Sequence, residues 1–259
     1  MRRVLFLLIL FASTFCIALT PISLQFGETT AVYYEEFLRS FDASGYDDAE
    51  ISSILQGDKY TLIRSDYLNF IETVRLIGFD TPNSHDSHEV TRGLGSQAAE
   101  FAKSLLENKE VFLSYDENLS IDTYGDFLAY LWLPVERQGE QYLAMFNLLA
   151  IANGYGRTYT EYPFNEGYVK AFTEAESVAK NDRLGLWKNE EFESVPPEPE
   201  YNPVVYITDT GKKYHRIGCQ HLEDSCHEIR LSDALRRGYT PCSVCNPYYV
   251  NWLPYFWKE

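Results

Sequence analysis

Apolar and polar positions change rhythm several times along the chain, and each change predicts an element. From residue 51 to 79 the two classes alternate in places, the period of a half-buried strand, and Gly57-Asp58 interrupts the run as a turn. Strands are predicted at 51–55, 60–64 and 68–79. Ala98, Phe101, Ala102, Leu105 and Leu106 then recur at the spacing of one helical face, which predicts a helix over 95–107 with Ser96 as its start signal. Two more strands fit 110–115 and 127–133. A second helix fits 141–152 and a third 165–181, with Asn165 as cap and Gly185 beyond the end.

The ends of the chain follow other rules. Arg2 and Arg3 precede an apolar run at 4–11, and Cys16-Ile17-Ala18 offers a cleavage site after Ala18. The run is short for a membrane-spanning helix of ~20 residues. A signal peptide over 1–18 is predicted, hence export to the cell envelope or beyond. An uncleaved anchor, with envelope association through the N-terminus, is the alternative. Residues 19–50 are acidic and aromatic and read as a leader with a short helix at 32–41. The main domain is expected over 51–192. Pro196, Pro197, Pro199 and Pro203 among glutamates make 193–203 a stiff linker. A small module at 204–247 and an aromatic tail at 248–259 complete the chain.

Charge narrows the function classes. The chain has 259 residues and a formal net charge of -16. No general basic surface for gripping phosphates is expected, because like charges repel at long range. Nucleic-acid binding would need a local site and a bound cation.

The module at 204–247 carries a metal-ligand layout. His215 and Cys219 form H-x3-C, and Cys242 and Cys245 form C-x2-C. Two short loops can each give a pair of ligands to a tetrahedral Zn2+. A module this small needs such a staple, since its core alone is thin. A closed site of four protein ligands is structural rather than catalytic. Two alternatives stay open on spacing alone: Cys226 in place of His215, or two disulfides among Cys219, Cys226, Cys242 and Cys245, which an oxidising compartment permits. His221 and His227 read as surface residues. Lys212, Lys213, Arg216, Arg236 and Arg237 offer at most a modest basic face.

A second constellation lies in the main domain. Val74-Arg75-Leu76-Ile77-Gly78-Phe79-Asp80-Thr81-Pro82 is a strand entering a proline-stopped turn. Arg75 and Asp80 would face opposite ways on a plain strand, and a bend near Gly78, or the end of the strand, would bring them to one site. Asp58 sits in an earlier turn able to pack beside it. Further matching pieces are Gly95-Ser96-Gln97-Ala98-Ala99-Glu100-Phe101, Asp116, Asp122-Thr123-Tyr124-Gly125 and Leu128-Ala129-Tyr130. Ala175-Glu176-Ser177-Val178-Ala179-Lys180 and Leu184-Gly185-Leu186-Trp187 complete the set.

In order and spacing over about 51–190 this set resembles the staphylococcal (thermo)nuclease family. The resemblance implies an α+β, mainly β fold: a five-stranded OB-type barrel with three helices, here followed by the zinc-ribbon-like module. It also implies Ca2+-dependent phosphodiester hydrolysis of DNA or RNA. Asp58 and Asp80 would bind Ca2+ through carboxylates and Thr81 through its backbone carbonyl. Arg75 would be catalytic, clamping the phosphate. Tyr124 and Tyr162 would hold the nucleotide.

Two departures count. The glutamate that follows the Thr-Pro pair in the family is Asn83 here, and the second arginine after the Tyr-Gly pair is Asp126. An amide cannot take a proton from water, and a carboxylate repels phosphate. His88 and Glu89, in the loop with His85 and Asp86, are candidate substitute bases, and Arg157 is a candidate substitute cation. Three functions follow: an exported nuclease with weak or lost turnover, a catalytically inactive OB-fold binding protein, and an envelope interaction module.

Overall fold

The computed structural model describes residues 19–64, 70–86, 88–116, 121–122, 126–195 and 204–245. Residues 1–18, where a signal peptide is expected, residues 196–203, Tyr124 and the aromatic tail lie outside the described residues.

The chain enters as a hairpin of β1 (Pro21–Phe26) and β2 (Thr29–Tyr34), in register from Pro21↔Tyr34 to Phe26↔Thr29. The turn needs Gly27, whose φ of 58° is left-handed. The helix expected at 32–41 is therefore absent, and only a 3-10 turn at Glu35–Phe37 follows. Thr29, Thr30, Val32, Tyr33 and Tyr34 are β-branched or aromatic residues that suit a half-buried strand. Leu24, Ala31, Tyr33 and Tyr34 are buried in the main core. The Tyr33 hydroxyl accepts from Met145 N at 2.9 Å and donates to the Phe37 carbonyl at 3.2 Å. The acidic segment is thus packed onto the domain.

The next elements are β3 (Arg39–Ser40), β4 (Asp47–Ile54), β5 (Lys59–Arg64), β6 (Phe70–Leu76) and β7 (Phe79–Asp80). Helix α1 (Glu89–Leu106) comes next, with Leu94, Ala98, Ala102, Leu105 and Leu106 as its buried stripe. It begins six residues before the expected 95, and Val90 and Leu94 extend the same stripe toward the N-terminus, packing with Ala98. Strands β8 (Glu110–Ser114), β9 (Phe127–Arg137) and β10 (Glu140–Met145) follow. The seven-stranded sheet has the order β3-β10-β9-β6-β5-β4-β8. It curls until β8, at one end of that order, pairs with β9 from Phe112↔Trp132 to Ser114↔Tyr130.

The expected helix over 141–152 divides in two. Residues 140–145 form β10, and only α2 (Phe146–Ala152) is helical. Gln138 and Gly139, at φ 55° and 82°, make the two-residue turn whose twist matches paired strands. That pairing overrides the helical propensity of Leu143, Ala144 and Met145. Every residue of α2 is buried.

Asn147 on α2 is fully buried and satisfied by backbone. Its Oδ1 accepts from Leu131 N at 3.0 Å, and its Nδ2 donates to the Ile77 carbonyl at 2.9 Å. Asn147→Leu keeps the volume but strands both backbone groups. It is expected to lower the unfolding free energy by about 3 kcal/mol, read as a lower urea midpoint at unchanged slope.

The short strand β11 (Arg157–Thr158) pairs with β7. Helix α3 (Glu166–Asn181) starts as the sequence predicts, with Asn165 Oδ1 accepting from Gly167 N and Tyr168 N at 3.0 and 3.2 Å. The C-terminal unit contains β12 (Val204–Ile207), β13 (Lys213–Tyr214), β14 (His227–Arg230), α4 (Leu231–Arg236) and β15 (Thr240–Pro241). β12 pairs antiparallel with β14, and β13 runs parallel to β15. The fold is mainly β with several helices. Among the described residues no helix is long and apolar enough to cross a membrane.

Candidate active site and metal-ligating cluster

Asp58 is delivered by close packing. A Cβ on Gly57 would lie 2.8 Å from both Ala98 Cβ and Thr81 Cγ2, so only glycine lets this turn press against α1 and Thr81. Asp58 is buried there, and its Oδ1 accepts from Thr81 Oγ1 at 2.9 Å. Its backbone carbonyl accepts from Leu76 N at 2.9 Å, tying the turn to the end of β6.

The bend expected near Gly78 is present. Gly78 has φ 72°, and a Cβ there would sit 2.5 Å from the Phe164 ring. The reversal between β6 and β7 lets Arg75 and Asp80 share one pocket with Asp58, Leu128, Tyr159 and Tyr162. Arg75 Nε lies 3.4 Å from Asp58 Oδ2. Thr81 is buried beside them. The two aspartates, the arginine, the threonine and Tyr162 therefore converge from distant parts of the sequence.

More acidic groups surround this point. Asp122 Oδ2 is 3.9 Å from a terminal nitrogen of Arg75. Asp126 is buried, and its backbone N donates to Asp122 Oδ1 at 2.9 Å. Its own carboxylate forms an ion pair with Lys59. The acidic substitution at Asp126 is thus compensated within the fold. Lys59 belongs to no recognisable motif in the sequence. Its signal lay in its position, directly after Asp58 and opposite Arg75 in the β5–β6 ladder. Burying several carboxylates together is costly unless cations accompany them.

The candidate substitutes lie elsewhere. Asn83 Oδ1 accepts from His85 N at 2.7 Å, closing a local turn. Asp86 Oδ1 takes His88 N at 2.6 Å, and both residues line a separate depression with Glu191 and Ser194. Neither His88 nor Glu89 lines the pocket that holds Arg75. Arg157 donates to the Val195 carbonyl at 2.5 Å and to the Phe192 carbonyl, with its guanidinium 4.3 Å from the Phe192 ring centre. Burial lowers its pKa, opposed by Asp80, Glu176 and Glu193. It is committed to the 3-10 turn at Glu190–Ser194 and does not replace the missing cation.

The second cluster is built by the C-terminal ladder. His215 exchanges backbone hydrogen bonds with Tyr206 at 2.7 and 2.8 Å, and Cys242 N donates to the Tyr214 carbonyl at 3.0 Å. These bonds bring the two sequence pairs together. His215, Cys219, Cys242 and Cys245 are all buried, with their ligand atoms within 4.8 Å of one another. His215 Nδ1 is 3.3 Å from Cys219 Sγ and 3.9 Å from Cys245 Sγ. All four described cysteines are free thiols, and Cys226 is exposed outside the cluster. Geometry therefore favours the set with His215 over the set with Cys226.

The side chains of the cluster are not shifted alike. Burial lowers the His215 pKa, favouring the neutral ring that can donate a lone pair. Burial opposes ionisation of Cys242, but hydrogen bonds from the backbone of Cys245 and Val244 bring its pKa below the ordinary thiol value. Burial pushes Cys245 up to about 11, a proton that a bound cation would displace.

Residues 73–189 match the staphylococcal nuclease homologue family. The chain is 35% identical over 117 residues to a thermonuclease of Staphylococcus intermedius, covering 45% of this chain and 64% of that protein. It is 31% identical over 118 residues to a thermonuclease of Staphylococcus hyicus, covering 46% and 64%. It is 26% identical over 140 residues to the SPbeta prophage-derived endonuclease YokF of Bacillus subtilis (strain 168), covering 54% and 44%. The chain thus spans less than two thirds of the length of these relatives. The family match includes Arg75, Asp80, Thr81 and Tyr162 but stops short of Asp58 and of the Cys/His cluster.

Proposed function

We propose, from the staphylococcal nuclease homologue domain carried by residues 73–189, that this chain is an exported Ca2+-dependent nuclease with a zinc-stapled C-terminal module. One observation carries the proposal: Asp58, Arg75 and Asp80 line a single pocket. Asp58, Asp80 and the Thr81 carbonyl form a hard oxygen donor set of the kind Ca2+ takes. The ion, when bound, would offset negative charge on the phosphate. Arg75 would hold the phosphate oxygens through its planar fork. Tyr162, in the same pocket, and Tyr124 would orient the nucleotide. The OB-type barrel is supported by the return pairing of β8 with β9. Zinc is supported by the soft donor set, since Zn–S of about 2.3 Å and Zn–N of about 2.0 Å suit ligand atoms this close. Export rests on Arg2, Arg3 and the apolar run after them.

A second reading, an OB-fold protein that binds nucleic acid without cutting it, is favoured by Asn83. By the family resemblance that residue takes the place of the proton acceptor, and its Oδ1 accepts from His85 N. Wild type and Asn83→Glu, each assayed on single-stranded DNA with and without Ca2+, separate the two. Slow Ca2+-dependent cleavage is expected from wild type, and a rise of about 10^2-fold or more from the variant. Binding with no cleavage by either chain at any divalent metal would support the second reading instead.

A further inference from the structure

Arg75 is hemmed in by its own partners. Asp58 lies 3.4 Å from its Nε and Asp122 lies 3.9 Å from a terminal nitrogen, and only 9% of the side chain is exposed. Lys59 stands directly opposite Arg75 in the antiparallel ladder, and opposed residues project from the same face. The Lys59 side chain is 23% exposed, against 11% for Asp126 and 1% for Asp58 and Asp122. It is the outermost charge of this group. The ammonium is therefore more open to solvent than the guanidinium across the ladder from it.

Asp126 gives that ammonium a fixed place. Its carboxylate pairs with Lys59, and its backbone exchanges hydrogen bonds with Asp122 at 2.9 and 2.8 Å. Asp122 in turn faces Arg75. The sequence Arg75, Asp122, Asp126, Lys59 is thus a continuous chain of contacts that sets the spacing of two cations. A carboxylate that would repel phosphate on its own becomes an anchor for a cation that attracts it.

We infer that Lys59 is a second phosphate-contacting cation of the site, held on the same sheet face as Arg75 by Asp126 as a positioning residue. This deepens the nuclease proposal and rests on it. Removing Lys59 alone would leave Asp126 buried and unpaired, so the decisive variant is the double Lys59→Gln/Asp126→Asn. It removes both charges, keeps hydrogen-bonding groups and leaves the net charge unchanged. The full chain is assayed with Ca2+ on a fluorescent single-stranded DNA oligonucleotide, for cleavage and for binding over a range of salt.

The double variant is expected to lose about 10^2-fold in kcat/KM. Its plot of log affinity against log salt should be shallower by about 0.7, the loss of one phosphate contact. Its urea midpoint should stay near that of wild type, and Lys59→Arg should keep most of the activity. An unchanged salt slope and unchanged kcat/KM in the double variant would make Lys59 a purely structural ion pair and overturn the inference. A wild-type chain that neither binds nor cuts the oligonucleotide would defeat the nuclease proposal, and the inference would fall with it.

Discussion

Asp58→Ala is expected to abolish the proposed Ca2+-dependent cleavage, together with the stabilisation by Ca2+ that the proposed site predicts for the wild-type chain. The side chain is 1% exposed and serves three groups at once. One oxygen accepts from Thr81, the other faces Arg75, and the pair forms part of the proposed donor set. Without it, the Arg75 guanidinium loses its 3.4 Å partner, and the contact to Asp122 at 3.9 Å is longer. Breaking a buried ion pair from one side costs about 3–5 kcal/mol. Stability should fall by that order even before metal is added. A ligand at one hundred times its Kd adds about 2.7 kcal/mol, so urea curves with and without Ca2+ should separate for wild type and coincide for the variant. Asp58→Asn tests the same point more gently, since its amide oxygen still accepts from Thr81. A variant that folds, cuts DNA and still responds to Ca2+ would exclude the assigned site.

Stripping metal from the Cys/His cluster should unfold the C-terminal module and leave the front domain intact. The module buries two small apolar groups, one around Val205, Ile207, Tyr214, Leu231 and Ala234, the other consisting mostly of the cysteines themselves. Structural zinc contributes on the order of 10 kcal/mol in small modules, far more than such cores supply. A chelator strong enough to remove zinc, or Cys242→Ser, should make residues 204–245 sensitive to protease while 19–195 stay resistant. Metal analysis of the untreated chain should give about one zinc per chain. Equal protease resistance with and without metal would mean that the ladder holds itself together.

How much of this was legible in the sequence depended on how local the signal was. The Asn165 cap and the bend at Gly78 are written in a few adjacent residues, and both are found where expected. Likewise, the spacing of His215, Cys219, Cys242 and Cys245 was enough to mark a cluster that the fold brings together. The segment at 140–145 was misread because Leu143, Ala144 and Met145 favour helices in isolation, whereas their pairing with β9 is non-local. The Gln138-Gly139 turn was the available clue. The N-terminal hairpin carries a single charge, Glu28, but the acidic residues from Glu35 onward drew its whole surroundings into one polar leader and hid the inward face of Leu24, Ala31 and Tyr33. Lys59 carried no motif of its own. Its meaning appears only when Asp126, far along the chain, is seen beside it.

Arg157 pairs across from Asp80 in the short β7–β11 ladder while its guanidinium grips the Phe192 and Val195 carbonyls. The family match ends at 189, before either of those two residues. Anyone trimming this protein to a minimal working fragment at the family boundary would cut away the buttress behind the Asp80 backbone. The shortest useful version has to run through Val195.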